Sequence, residues 1–249
     1  MSSTHVYAES APPQPLRQPL STDSVNTGPS TVHLTTHNQY KTPRLLPNHL
    51  NPNPLLQFNK WLAEALSPTP ESGMPPVREP EAMAVSSVSS EGIPSTRVVL
   101  LKTVDEQGFV FFTNYNSRKS QELLNGYASL AFYWKETSRQ IRVVGRVEKV
   151  NRQESEEYFH SRPLGSQVGA WASPQSSVVD EDTLEKNLEE AKAKFGDNVP
   201  CPPHWGGWRI IPFEVEFWSG QPSRLHDRFR YTRPRDCQST EWTINRLAP

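Results

Sequence analysis

Phe217-Trp218-Ser219-Gly220-Gln221-Pro222-Ser223-Arg224-Leu225-His226-Asp227-Arg228-Phe229-Arg230-Tyr231 is the stretch on which the reading of this chain turns. A strand resuming after a Gly220–Ser223 turn alternates its side chains with period two. That spacing predicts Arg224, His226, Arg228 and Arg230 on one face and Leu225, Asp227, Phe229 and Tyr231 on the other. Three arginines and a histidine side by side repel one another unless they face water or an anion. Two readings follow: a charged edge strand that resists aggregation, or one wall of a site for a phosphate or carboxylate, with a histidine able to do proton work near neutral pH.

Upstream of this stretch, Ala82–Ser89, Thr96–Val104, Gly108–Thr113, Ser129–Trp134, Ile141–Val150 and Trp208–Trp218 are short runs rich in Val, Ile, Phe, Tyr and Trp, broken by turn signals such as Asp105-Glu106-Gln107-Gly108. Together they predict an antiparallel sheet that closes into a barrel, which removes exposed edges. Helices are predicted after Asn51-Pro52-Asn53-Pro54, from Ser117 to Asn125, after the capping-box sequence Asn151-Arg152-Gln153-Glu154, and over Leu184–Phe195 before Gly196. The fold class is therefore mainly β with peripheral helices, a β-barrel or α+β domain.

Residues 1–36 are rich in Ser, Thr, Pro, Gln and Asn and poor in aliphatics, which predicts a disordered tail ahead of a single domain over 37–249. Lys+Arg 26 against Asp+Glu 27 leaves a net charge of −1, so no global attraction to nucleic acid is expected and any basic site is local. No apolar run reaches the roughly 18–20 residues of a membrane span. The 2 cysteines, Cys201 and Cys237, form no metal-ligand pair and no disulfide framework, so no metal is expected and a reducing, cytoplasmic setting is.

Three further clusters carry cations. Arg97-Val98-Val99-Leu100-Leu101-Lys102 places one at each end of an apolar run, as expected of a buried strand whose ends alone reach a ligand. Strict alternation separates Arg97 from Lys102 unless a bulge intervenes. Phe112-Thr113-Asn114-Tyr115-Asn116-Ser117-Arg118-Lys119 ends a strand and opens a helix, where free N–H groups and the helix dipole favour a phosphate. Tyr158–Gln167, with Arg162 and Ser166, and Trp171–Ser177, with Gln175 and Ser176, read as polar loop after a helix, either a surface turn or a binding segment. Gln140 opens a strand as donor and acceptor, and Trp218 offers a flat face for a stacked ring.

Val215-Glu216-Phe217-Trp218-Ser219, followed after four residues by Arg224-Leu225-His226-Asp227-Arg228, resembles the signature of the pyridoxamine (pyridoxine) 5′-phosphate oxidase family. The resemblance extends through Arg97–Lys102, Thr113–Lys119, Phe132–Lys135, Arg139-Gln140, Tyr158–Gln167, Gln175-Ser176 and Arg246–Pro249, covering about residues 51–249. It implies a split β-barrel homodimer with FMN at the subunit interface and oxidation of pyridoxamine or pyridoxine 5′-phosphate by O₂ to pyridoxal 5′-phosphate and peroxide. By position it implies that Arg97, Val98, Phe112, Thr113, Arg118, Lys119, Gln140, Gln175, Ser176, Trp218 and Arg228 hold FMN. Lys102, Tyr158, Arg162 and Ser166 would take the substrate phosphate, Arg224 and His226 would act at the reacting carbon, and Leu225 and Tyr40 would border the substrate. The family's N-terminal Arg-x-x-Tyr element reads His37-Asn38-Gln39-Tyr40 here, without its arginine. The alternative is a non-catalytic flavin or B6-phosphate binding protein on the same barrel.

Overall fold

The computed structural model describes residues 39–40, 42–67, 75–237 and 239–249. The predicted disordered tail, residues 1–36, and His37 lie outside the described residues. Asn53 caps helix α1 (Pro54–Leu66) by accepting the Leu55 N–H at 2.8 Å, with Pro54 in the first turn where its missing donor costs nothing. The α1 face carrying Phe58 and Trp61 is buried on the sheet. Phe58 packs edge-on to Phe109 at 4.9 Å and tilted against Phe132 at 5.1 Å, and Trp61 meets Phe217 at 5.1 Å.

The sheet is built from β1 (Ala82–Val88), β2 (Pro94–Leu100), β3 (Thr103–Val104), β4 (Phe109–Asn114), β5 (Tyr127–Trp134), β6 (Arg139–Lys149), β7 (Trp205–Ser219), β8 (Asp227–Thr232) and β9 (Thr243–Leu247). All pairings are antiparallel, in the order β2-β1-β5-β6-β7-β4-β3. β2 runs into β3 after two residues, and the Lys102 N–H donates to Val110 O at 2.9 Å, so the chain joins the two ends of this order into a split barrel in which, among the described residues, β2 pairs on one side only, with β1.

The 15-residue strand β7 organises the rest. One edge pairs with β6 along most of its length, with a bulge between Val144 and Gly145. The other edge is split: Trp205–Ile210 pair with β4, and Glu214–Ser219 pair with β8, which in turn pairs with β9. Pro212, which has no N–H to give a ladder, lies between the two halves where β7 changes partner. Helix α2 (Arg118–Leu123) follows β4; α3 (Arg152–Ser161), α4 (Leu164–Ala172) and α5 (Thr183–Phe195) cover the start of β7 around a second core of Phe159, Val168, Ala191, Val199, Cys201 and Trp205.

Four expectations need correction. β8 begins at Asp227, not at Arg224, because Pro222–Arg224 form a 3-10 turn in which Ser223 and Arg224 have φ of 57° and 61°. The alternation holds from Asp227 onward, with Phe229 and Tyr231 buried, but Leu225 is 68% exposed and does not share their face. The Arg97 strand is an edge strand with Val98 at 68% exposure, so its apolar run is not a buried one; the strand stops at Leu100, which frees Lys102 from the alternation. Leu164–Gln167 and Trp171-Ala172, parts of the two segments read as loop, belong to helix α4 (Leu164–Ala172). β9 went unforeseen, since Thr243–Leu247 is short and mostly polar.

Candidate functional site

Phe112 and Thr113 stand at the end of β4, opposite Gly207 and Gly206 of β7. A Cβ on Gly207 would come within 2.9 Å of the Phe112 ring, so glycine leaves room for that ring to stack on Tyr158 at 4.0 Å and on Trp205 at 5.5 Å. Arg162, at the end of α3, lays its guanidinium over the Trp205 ring at 4.8 Å. Its Nη1 is buried and has no hydrogen-bond partner among the described residues. This aromatic floor and β2 enclose a cavity of about 770 Å³.

Among the described residues five cations line the cavity, Arg97, Lys102, Arg118, Lys119 and Arg162, and no carboxylate does. Lys119 is 9% exposed, and its Nζ donates to Gln175 Oε1 at 2.9 Å, Thr113 Oγ1 at 3.2 Å and Ser117 Oγ at 3.3 Å. Burial, and then the charge of Arg97, push its ammonium below the ordinary lysine value. α2 is only six residues long, so the positive character here comes from side chains rather than a helix dipole. Val98, Phe112, Thr113, Tyr158, Ser166, Gln175 and Ser176 border the same cavity, and Ser176 holds a φ of 75°, a costly backbone for a residue with a Cβ. Trp205 also lines it and was not singled out from the sequence.

A second cluster lies where β7 ends. Trp218 stands between Gln140 of β6 and Arg228 of β8 in the ladder. The Trp218 and His226 rings are 4.7 Å apart, and Tyr40 sits edge-on to both at 5.5 Å. A Cβ at Gly220 would approach the Tyr40 ring to 2.7 Å, so glycine lets the tyrosine lie down here. His226 Nδ1 accepts the Gln221 N–H at 3.1 Å, which places the ring proton on Nε2. Burial, then Arg224 and Arg228, lower its pKa, so the neutral ring presents a donor. Arg228 donates to Glu216 at 2.8 Å and to Ala248 O at 2.9 Å; Arg224 and Leu225 are exposed.

The cavity does not include Gln140, Trp218, Arg224, Leu225, His226, Arg228 or Tyr40. Trp205 lines the cavity and Trp218 anchors the second cluster, 13 residues further along one strand, or about 40 Å of strand path. The candidate residues thus form two half-sites, one at each end of β7.

The antiparallel split barrel and its cationic cavity, which no carboxylate among the described residues borders, define a barrel suited to an anionic ligand. Residues 74–194 match the family described as pyridoxamine 5′-phosphate oxidase, and residues 205–249 match its pyridoxine 5′-phosphate oxidase C-terminal dimerisation region. The pyridoxine/pyridoxamine 5′-phosphate oxidase of Burkholderia vietnamiensis is 53% identical over 200 residues, 80% of this chain and 90% of the relative. That of Burkholderia thailandensis is 53% identical over 202 residues, 80% and 91% of the two chains. The chain belongs to the pyridoxamine 5′-phosphate oxidase family of oxidoreductases. Among solved structures, PhzG of Burkholderia lata 383, in complex with tetrahydrophenazine-1-carboxylic acid, superposes with a TM-score of 0.74 at 32% identity, covering 84% of this chain and 99% of that one. A pyridoxamine 5′-phosphate oxidase-related, FMN-binding protein of Nostoc punctiforme shares the fold at a TM-score of 0.59 and 15% identity, over 77% and 97% of the chains. Among the described residues no helix is long and apolar enough to cross a membrane.

Proposed function

We propose that this chain oxidises pyridoxamine or pyridoxine 5′-phosphate to pyridoxal 5′-phosphate with O₂, as an FMN-bearing homodimer. The observation that carries the reading is the separation of the two half-sites along β7. One chain cannot fold its Trp218 end back onto its own cavity, whereas a two-fold partner, using the matched dimerisation region, can supply that end to the cavity of the other.

The residues suit the cofactor. A cavity of about 770 Å³ is within the ordinary range for a ligand of this size, its five cations call for anions, and the orphaned Arg162 Nη1 calls for an acceptor. Arg97, Arg118, Lys119, Gln175, Ser176, Phe112, Thr113 and Val98 would hold FMN from one subunit, and Gln140, Trp218 and Arg228 from the other. FMN would supply the acceptance of a hydride from C4′ and the return of both electrons to O₂ as peroxide; the substrate amine or hydroxyl gives up a proton, and with the amine, water then replaces the nitrogen, which leaves as ammonia. Lys102, Tyr158, Arg162 and Ser166 then neutralise the substrate phosphate, and their fixed distance from Arg224 and His226 sets which carbon is presented. His226 has its Nδ1 lone pair occupied by Gln221 and its proton on Nε2, so it orients the substrate amine or hydroxyl as a donor and is not placed as a free base. Tyr40 covers the pair from above.

Purified protein carrying flavin should be yellow and should release one peroxide per pyridoxal 5′-phosphate formed. Mixing Lys119→Ala with His226→Ala chains, at an FMN concentration that loads intact cavities but not the Lys119→Ala ones, should restore about a quarter of wild-type activity, because half the dimers are mixed and each contains one intact site. No recovery with exchanged subunits would place both half-sites in one chain.

A further inference from the structure

Two cations of the cavity wall, Arg97 and Arg118, are held from behind by one acid. Glu122, on α2, is buried and does not border the cavity. Its Oε2 accepts from Ser87 Oγ at 2.6 Å, from Ser95 Oγ, and from Arg97 Nη2 at 3.3 Å, while Oε1 accepts from Arg118 Nε at 2.8 Å. Arg97 is fixed further: Nη1 donates to Ser87 Oγ at 2.6 Å and Val85 O at 3.0 Å, and Nη2 to Ser95 Oγ. Arg118 is otherwise a long, 63% exposed side chain with many rotamers to choose from. The same carboxylate therefore fixes two arginines that reach the cavity from different elements, β2 and α2.

We propose that Glu122 is a positioning residue for the phosphate end of FMN, aligning Arg97 and Arg118 so that both guanidinium groups meet one phosphate. This rests on reading the cavity as the FMN site. Every hydrogen-bond neighbour of the carboxylate among the described residues is a donor, and only a carboxylate accepts on both oxygens. A glutamine there turns an NH₂ toward either Arg118 Nε–H or the Arg97 and serine donors, so one arginine must swing away. Two effects of opposite sign compete in that variant. Removing a negative charge raises the cavity's potential and favours a dianion, while losing the alignment weakens charge-assisted hydrogen bonds that depend on distance and angle. Alignment dominates, because the arginines stand between Glu122 and the cavity and the lost contact is the direct one. Burial alone would raise the Glu122 carboxyl, but the hydrogen bonds from Ser87, Ser95 and Arg118 outweigh it and hold it at about 2, in keeping with a permanently charged anchor.

The test is a titration of apo protein with FMN and with riboflavin, which lacks the phosphate. In Glu122→Gln the Kd for FMN should rise about tenfold with the Kd for riboflavin unchanged. Ser95→Ala, which keeps the acid and alters a half-exposed position, should give a smaller, FMN-specific rise of about threefold. Unchanged or tighter FMN binding in Glu122→Gln, or an equal loss of FMN and riboflavin, overturns the proposal. If Glu122→Gln does not fold, Ser95→Ala decides alone on the same terms. Arg97→Ala separates the two readings: if it too retains full FMN affinity, the cavity is not the FMN phosphate site, whereas if it weakens FMN while the Glu122 and Ser95 variants do not, only the role of Glu122 falls.

Discussion

Replacing Asp227 with asparagine keeps the shape of the side chain and removes its charge, and the structure gives the cost. Asp227 is fully buried and accepts Arg44 Nε and Nη2, each at 2.7 Å, Arg246 Nη2 at 2.7 Å and the Leu45 N–H at 3.0 Å. It pins the segment before α1, the start of β8 and β9 to one point. Burial opposes its ionised form, but the Arg44 and Leu45 hydrogen bonds outweigh burial and hold the carboxyl below the ordinary aspartate value. Breaking a buried ion pair from one side costs about 3–5 kcal/mol. The Arg44 and Arg246 side chains are 54% and 50% exposed and rehydrate when released, so about 2–3 kcal/mol is expected. For a domain of this size that lowers Tm by roughly 4–12 °C. The same substitution loosens the strap that carries Tyr40, since Thr42 donates to Gly220 O and Gln221 Nε2 donates to Pro43 O at 3.2 Å in the same corner. Asp227→Asn should therefore raise KM for pyridoxamine 5′-phosphate while leaving the FMN phosphate contacts intact. Chemical denaturation and steady-state kinetics on the purified variant measure both. A stability loss under about 0.5 kcal/mol with KM unchanged would refute the keystone role assigned to this carboxylate.

Lys119→Ala should cost about 1.5–3 kcal/mol of FMN binding, a tenfold to hundredfold weaker Kd by fluorescence titration. Arg224→Ala and His226→Ala should lower kcat more than they weaken FMN; equal losses would make these residues cofactor ligands only. The Glu122 carboxyl, held at about 2 against an ordinary 4.5, is lowered on folding, so its ionised form contributes stability that is complete above pH 4.5 and lost as pH falls toward 2. Denaturation of wild type and Glu122→Gln should show a stability difference that narrows over that window. Deleting residues 1–31 should leave activity intact, whereas deleting through Tyr40 should raise KM. His37→Arg, at a position outside the described residues, should lower KM by up to about tenfold if a charge-assisted contact is regained.

The strands were legible because their β-branched and aromatic runs are bounded by turn residues, and the start of α1 because Asn53-Pro54 is a capping sequence with few other uses. What period-two reasoning could not see was where a strand begins. Arg224, His226 and Arg228 look like one face on paper, yet Ser223 and Arg224 adopt left-handed backbone, which resets the alternation at Asp227. The same limit applied to Arg97–Lys102, where a run apolar enough to be buried lies on an edge of this chain, with Val98 and Leu100 open. α4 was missed because Leu164-Gly165-Ser166-Gln167 begins with Pro163 and glycine, residues that signal a loop more often than a helix. Trp205 and Glu122 were missed for another reason: one is a core aromatic by any sequence rule, the other an acid with only its spacing of four from Arg118 to suggest a partner.

Glu122 bears on how a chain of net charge −1 sustains a cavity bordered by five cations and, among the described residues, by no carboxylate. Glu122 bridges Arg97 and Arg118, Glu216 bridges Arg228 and Arg142, and Asp227 bridges Arg44 and Arg246. Each acid is buried and none of the three borders the cavity, but only Glu122 stands behind arginines that do. An acid placed in the cavity would compete with the phosphate for the same donors. Placed behind, it offsets the mutual repulsion of the cations during folding and fixes their rotamers, so less entropy is lost when an anion arrives. The arrangement explains why arginine rather than lysine fills these positions: a guanidinium has five donors in a fixed plane, enough to satisfy a buried carboxylate on one edge and still meet a ligand on another. Among the described residues Lys119, the buried lysine of the wall, has no carboxylate behind it and is met by neutral oxygens of Thr113, Ser117 and Gln175. Its lowered pKa is the electrostatic consequence, and under the proposed function a bound phosphate would supply the counter-charge.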